Sequence, residues 1–402
     1  MDRLISNHNI VVCTGAGGVG KTTTAAAIGL RAASLGKRTL IVTIDPARRL
    51  AQALGHGTLA ASPQPVGDRF FEQAGIARHA AVSVMMLDMQ AAWDDLVKRL
   101  CGQGDLAREL LDNRFYRYLS RELPGSQEFI AAESLYTLYE QGGFDQIVLD
   151  TPPTVHALDF LEAPHKMVQF LQQDAFRFFL RSKPKLAGRL GLGLLDQVGP
   201  LAQAFLKRFV GNTFLDELAA FLHLLHDLYD PLMQRTRAFE RLLKSESTRF
   251  VVVLSSAQAA VRESQQLHQE LLKRGFPFGL FVLNGISPMM FADSQAVADT
   301  PPKIRRLLRS VRSARSANCC LGDDSSFVAA LALACQDECT AGAWQHQAMQ
   351  QIEAVRRLGD KAMQGGLVCL PKIALAGHPA VFLGQLVRSF DEAESDGSGF
   401  GN

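Results

Sequence analysis

The sequence predicts an α/β protein: a doubly wound, mostly parallel sheet with an inserted α-helical subdomain. Three observations carry this. Apolar runs of strand length recur along the chain, they alternate with segments of helical periodicity, and one long Leu- and Phe-rich stretch between them holds no strand pattern. A chain of 402 residues is long enough to bury such a core. With 47% hydrophobic and 20% charged residues the composition is that of a globular protein, and a formal charge of +2 gives no bulk attraction for nucleic acid.

The elements follow in order. "HNIVVCTG" is a short apolar strand ending at glycines, and "KTTTAAAIGLRAASLGK" is an Ala-rich helix closing at Gly36. "RTLIVTID" and "AAVSVMMLD" are the second and third strands; a helical segment over about 90–141 leads to the fourth, "FDQIVLD". "RFVVVLSS", "FGLFVLNGI" and "GLVCLP" complete the strands. These readings divide the chain into a core in two parts, 1–157 and 246–390, around an inserted helical subdomain at 158–245. The composition of the tail, 391–402, predicts disorder.

The opening "MDRLISNHNIVV" lacks the basic-then-apolar layout of a secretory signal, and "LAAFLHLLHDLYDPLM" is broken by His, Asp and Pro. A cytoplasmic chain is the expectation, and seven cysteines, an odd number, then read as reduced thiols rather than a disulfide framework.

The chemistry begins at "CTGAGGVGKTTT", which fits G-x-x-x-x-G-K-[ST] from Gly15 through Gly17, Gly18, Val19 and Gly20 to Lys21 and Thr22, with Thr23 following. Between a strand and a helix, such a loop lets backbone N–H groups curl around phosphate oxygens at a positive helix end. Lys21 is placed for the β- and γ-phosphates of ATP, and the Thr22 hydroxyl for Mg²⁺; the alternative is a glycine turn that binds nothing. Asp45 in "TIDPARRLAQALG" and Asp150 in "VLDTPPTVHALDFLEAP" stand at the C-terminal ends of the second and fourth strands, where ligands of open α/β sheets collect. Each alone also reads as a helix cap.

Together "GAGGVGKTTTAAAIGLRAASLGKRTLIVTIDPARRLAQALG", "LPGSQE", "FDQIVLDTPPTVHALDFLEAP" and "FVLNGI" resemble the ArsA/Get-type ATPases, which include arsenite-pump and tail-anchored-protein targeting ATPases. The resemblance runs from about Asn9 to Asn284, with a weaker echo at "GLVCLPKIALAG". It implies a homodimer closed by ATP. Asp45 would orient the attacking water, and Asp150 would act on Mg²⁺ through a water. Thr151, Pro152 and His156 fall in the switch that relays nucleotide state to the inserted helices. Asn284 would read adenine, and Pro371 would line the base pocket.

Three departures stand beside the resemblance. The family commonly carries a second loop lysine that reaches the partner's phosphates; that position is Ala16 here. Arg48 and Arg49 are the alternative cations, in cis or in trans, unless both simply face solvent. The C-x-x-C of the targeting branch is replaced by "NGISPMMFADSQ"; Cys319, Cys320, Cys335 and Cys339 come later, read either as a metal or metalloid site or as buried thiols. A single phosphate loop also differs from the pump ATPase, which carries two.

The inserted helices read as an ordinary core or, in a dimer, as a groove for an apolar client segment, with Met167, Phe170 and Phe176 on the candidate face. "PPKIRRLLRSVRSARSAN" is a basic amphipathic helix, either a solvated face or a peripheral membrane contact. Three outputs stay open: a carrier of apolar segments, a metalloid- or anion-linked ATPase, and a membrane-cycling spatial regulator.

Overall fold

The computed structural model describes residues 1–44, 49–102, 104–122, 126–151, 212–286, 367–371 and 378–395, together with residues 162, 163, 166, 169, 350, 354 and 358. The chain divides into two compact units. One takes in Met1–Met86, Gly142–Ala157 and Leu243–Asn402, the other Leu87–Gln141 and Leu158–Leu242.

The first unit holds the sheet. Its strands are β1 (Ile10–Gly15), β2 (Thr39–Thr43), β3 (Gln64–Pro65), β4 (Val82–Met86), β5 (Gln146–Asp150), β6 (Thr248–Leu254), β7 (Phe278–Ile286) and β8 (Leu367–Pro371), in the order β3-β4-β2-β5-β1-β6-β7-β8. Every pairing is parallel except the two-residue edge strand β3, which runs antiparallel to β4. The mostly parallel α/β sheet predicted from the apolar runs is thus observed. The sequence pattern gave no sign of β3, which is too short to show a period.

Helix α1 (Asp2–Asn7) precedes β1, and α2 (Lys21–Ser34), α3 (Arg49–Ala53) and α4 (Asp68–Ala74) fall between the early strands. Strand residues alternate between faces: Val11, Cys13, Ile41, Val148, Val251, Val253 and Val282 share one core cluster with Ala25, Ile28 and Leu30 of α2. Gly29 of α2 sits so close to β2 that a Cβ there would meet Ile41 at 2.5 Å. A short α1 is held against α2 by Arg31, whose Nε and Nη2 donate to the Asp2 carboxylate at 2.9 and 2.6 Å. On the opposite face Phe281 packs edge-on against His268, at 5.2 Å between ring centres.

In the second unit α5 (Met89–Cys101), α6 (Asp105–Asp112), α7 (Arg114–Glu122) and α8 (Ser126–Gln141) form a helical cluster with most of the long helix α9 (Asn212–Leu243). Trp93, Leu96, Phe129, Ile130, Leu228 and Leu232 form its core. The helix α9 runs through Pro231, which removes one N–H from its ladder. Back in the first unit, α10 (Gln258–Lys273) supplies His268, and α11 (Pro379–Ser395) packs so tightly on α4 that a Cβ at Gly384 would sit 1.9 Å from the Ala74 carbonyl oxygen. α11 continues to Ser395, inside the stretch whose polar composition suggested a disordered tail, because "DEAES" carries the helix formers Glu and Ala. Among the described residues, no helix is long and apolar enough to cross a membrane.

Candidate functional site

The loop after β1 lies where the sheet's winding reverses: β1 pairs with β5 on one side and β6 on the other, the place where open α/β sheets bind ligands. At Gly15 a Cβ would lie 1.9 Å from the Val253 carbonyl oxygen, so only glycine lets the chain leave the strand there. Ala16 and Val19 turn inward into the core, while Gly17 and Gly18 form an exposed tip with open space at both Cβ positions. The chain re-enters at Gly20 with φ 94°, left-handed backbone that disfavours a side chain, and starts α2 with no side-chain cap on its first N–H groups.

Lys21, only 8% exposed, folds back over this loop and donates from Nζ to the Ala16 carbonyl oxygen at 2.7 Å. Thr22 and Thr23 follow in the first turn of α2, both half-buried. Asp150 ends β5, buried at 1% exposure and paired in register with Cys13 of β1 and Thr43 of β2. Its Oδ2 accepts from the Thr43 hydroxyl at 3.1 Å. Next along, the Thr151 hydroxyl and N–H both donate to the Cys13 carbonyl, at 2.8 and 3.2 Å. Burial, and after it the Asp150 charge, push the Cys13 thiol well above its ordinary range, with Lys21 pulling the other way. Cys13 is therefore a neutral core residue that feels both of the site's opposite charges.

Asn284 approaches the loop from β7. Its side-chain amide donates to the Val19 carbonyl oxygen at 2.9 Å, and a Cβ on Gly20 would lie 2.2 Å from the same nitrogen. Pro371 ends β8, in register with Ile286 of β7. Arg49 opens α3 and is exposed. Asp45, Arg48, Pro152 and His156 lie outside the described residues, as do the four late cysteines, the basic segment and the candidate client face. Among the described residues no cluster of three or more His, Cys, Asp or Glu side chains is arranged to hold a metal.

Thr43 is a partner of Asp150 that the sequence reading passed over; its only signal is its place two residues before Asp45 in "TLIVTID". The contact of Asn284 with Val19 has no sequence signal, because it joins a strand residue to a loop residue far away in the chain.

A mostly parallel sheet with a strand, a glycine loop bearing Lys-Thr and a helix at its winding reversal defines a P-loop nucleotide-binding protein. Within that class the chain belongs to the anion-transporting ATPase family, whose profile matches residues 8–300. It is 26% identical over 297 residues to ATPase GET3C of Arabidopsis thaliana, covering 72% of this chain and 70% of that protein. It is 27% identical over 291 residues to an arsenical pump-driving ATPase of Escherichia coli, covering 71% of this chain but 40% of the relative, and 28% identical over 290 residues to ATPase GET3B of Arabidopsis thaliana, covering 69% and 64%. The match to these last two thus spans less than two thirds of their length.

Proposed function

We propose that the chain is a Mg²⁺- and ATP-dependent ATPase working as a nucleotide-gated homodimeric switch, whose helical subdomain carries or senses an apolar client. What supports the nucleotide part most is the juxtaposition at the sheet's reversal: a glycine-rich loop, a buried lysine folded over it, and a buried carboxylate at the end of the neighbouring strand.

Phosphoryl transfer asks the protein mainly for positioning and charge neutralisation. Lys21 exchanges its bond to the neutral Ala16 carbonyl for phosphate oxygens, an ion pair in place of a contact charged on one side only. The N–H groups from Ala16 to Thr22 orient the β- and γ-phosphates. Thr22 and Asp150 offer hard oxygen donors, a set that suits Mg²⁺, and Thr43 keeps the Asp150 carboxylate oriented. Bound there with the phosphates, Mg²⁺ would neutralise charge that develops on their oxygens. Asp45 orients the attacking water, Thr151, Pro152 and His156 pass the change to the helices, and Asn284 and Pro371 flank the base. Because Ala16 is apolar and turned into the core, Arg48 or Arg49 supplies the missing charge to the phosphates, in cis or in trans. The exposure of Arg49 on the surface of its unit supports that assignment.

The size of the chain in solution tests this reading, measured by light scattering with and without a slowly hydrolysed ATP analogue and Mg²⁺. A dimer in the analogue is expected; a monomer under both conditions overturns the switch. A second reading, an ATPase linked to a metalloid or other anion, draws on the arsenical pump-driving relative. Stimulation of ATP turnover by arsenite would favour it over the client-carrying one.

A further inference from the structure

Asn284 makes a contact in the structure that base reading does not require. We propose that it is a positioning residue that braces the phosphate loop from β7, so that the base side and the phosphate side of the site are one mechanical unit; this rests on the nucleotide reading above.

Strand alternation puts Asn284 on the same face as Leu280 and Val282, residues that share a core cluster with Val19 and Val253. At this point the ladder to β8 is interrupted: Leu283 pairs with Cys369 and Ile286 with Pro371, so two residues of β7 stand against one of β8. Gly285, at φ 75°, takes up the extra residue. The half-buried Asn284 amide reaches the Val19 carbonyl at 2.9 Å, across from one strand's end to the loop of another.

The consequence follows from peptide geometry. In a planar trans peptide the carbonyl and the next N–H point in opposite directions. Holding the Val19 carbonyl toward β7 therefore turns the Gly20 N–H away from it. The brace also explains the residue at position 20, where any side chain would collide with the Asn284 nitrogen. A carboxamide carries two N–H donors and a carbonyl, so one bond to Val19 does not exhaust it and a base edge can share it.

The probe that separates bracing from base reading is inorganic tripolyphosphate, which has phosphates and no base. Calorimetric titration of the full chain with Mg²⁺-tripolyphosphate and with Mg²⁺-ATP is compared for the natural protein and Asn284→Ala. If Asn284 braces the loop, both ligands weaken, tripolyphosphate by about three- to tenfold, the effect of one neutral hydrogen bond. If ATP alone weakens, Asn284 reads only the base and the brace is overturned. If the natural protein binds neither ligand, the nucleotide reading itself fails.

Hydrogen exchange without ligand gives an independent measure. Amides at 19–21 exchange faster in Asn284→Ala and in the nearly isosteric Asn284→Asp, whose carboxylate cannot donate to Val19. Unchanged exchange in whichever of these variants folds overturns the proposal.

Discussion

Lys21 in the first unit and Glu133 in the second are both buried charges, 8% and 3% exposed, and the two are satisfied in different ways. Lys21 rests on a main-chain carbonyl of its own loop, a neutral acceptor. Glu133, on α8, receives Arg235 of α9 at 2.7 Å, Arg99 of α5 at 3.0 Å and the Thr137 hydroxyl at 3.1 Å. Arg235 goes on to Glu140 at 2.9 Å and lies over the Tyr136 ring, 5.0 Å from its centre. Burial works against the Arg235 guanidinium, yet Glu133 and Glu140 outweigh it and its pKa is raised.

The difference teaches where movement is cheap. A lysine on a neutral carbonyl can be redirected to a phosphate, because the new bond is the stronger of the two. A carboxylate matched by two guanidiniums and a hydroxyl cannot leave without stranding buried charge. One arrangement suits a site that must accept a ligand, the other a joint that fixes three helices in one register.

Three substitutions would break or sharpen this contrast. The largest effect is expected for Lys21→Met, which should cut ATP turnover by about a hundredfold or more, in the range for removing one charge-stabilising group. Its thermal unfolding midpoint should fall less than in a Glu133 variant, since the Ala16 carbonyl left behind is a neutral acceptor. A midpoint that falls as far as in a Glu133 variant would erase the distinction. Next comes Glu133→Ala, expected to lower stability by about 3 kcal/mol in urea unfolding. That is the low end for a broken buried pair, because Arg99 and Arg235 keep some access to water. An unaltered unfolding midpoint would show that the cluster is not a joint.

The smallest effect belongs to a surface pair at the far end of β5. Arg38 donates to Asp145 through its side chain and backbone, and these bonds hold the Asp145 carboxyl down at about 2, against an ordinary 3.8. A carboxyl depressed on folding stabilises the fold above its unfolded pKa and loses that contribution as pH falls through the folded value. Wild type should therefore be slightly the more stable above pH ~4, and its unfolding midpoint should converge on that of Asp145→Asn as pH approaches ~2. Both side chains are well exposed, so the gap is small and shrinks with salt. A gap that persists at pH ~2 would show that the carboxylate charge is not its source.

Much of the first unit was legible from the chain. β1, β2, β5 and β6 are apolar runs rich in Val, Ile and Leu and buried on both faces, and that makes them continuous rather than alternating in sequence. The loop was legible because its glycines, Lys21 and Thr22 are consecutive. The short α1 and β3 were not: each is set by contacts to distant segments, Arg31 with Asp2 in one case and the edge of β4 in the other. Nor was the Glu133 joint visible, since Arg99, Glu133 and Arg235 lie on three helices far apart in the chain, and each alone reads as an ordinary surface charge.

By itself, then, the sequence determined the class of fold, the phosphate loop and the family, because local patterns and contiguous motifs carry all three. Only the tertiary structure decided that Lys21 lies on Ala16, that Thr43 steadies Asp150, and that Asn284 reaches Val19. The last two depend on strand order and register. Composition and periodicity describe one segment at a time, and a hydrogen bond between two strands exists only once the sheet has set them side by side.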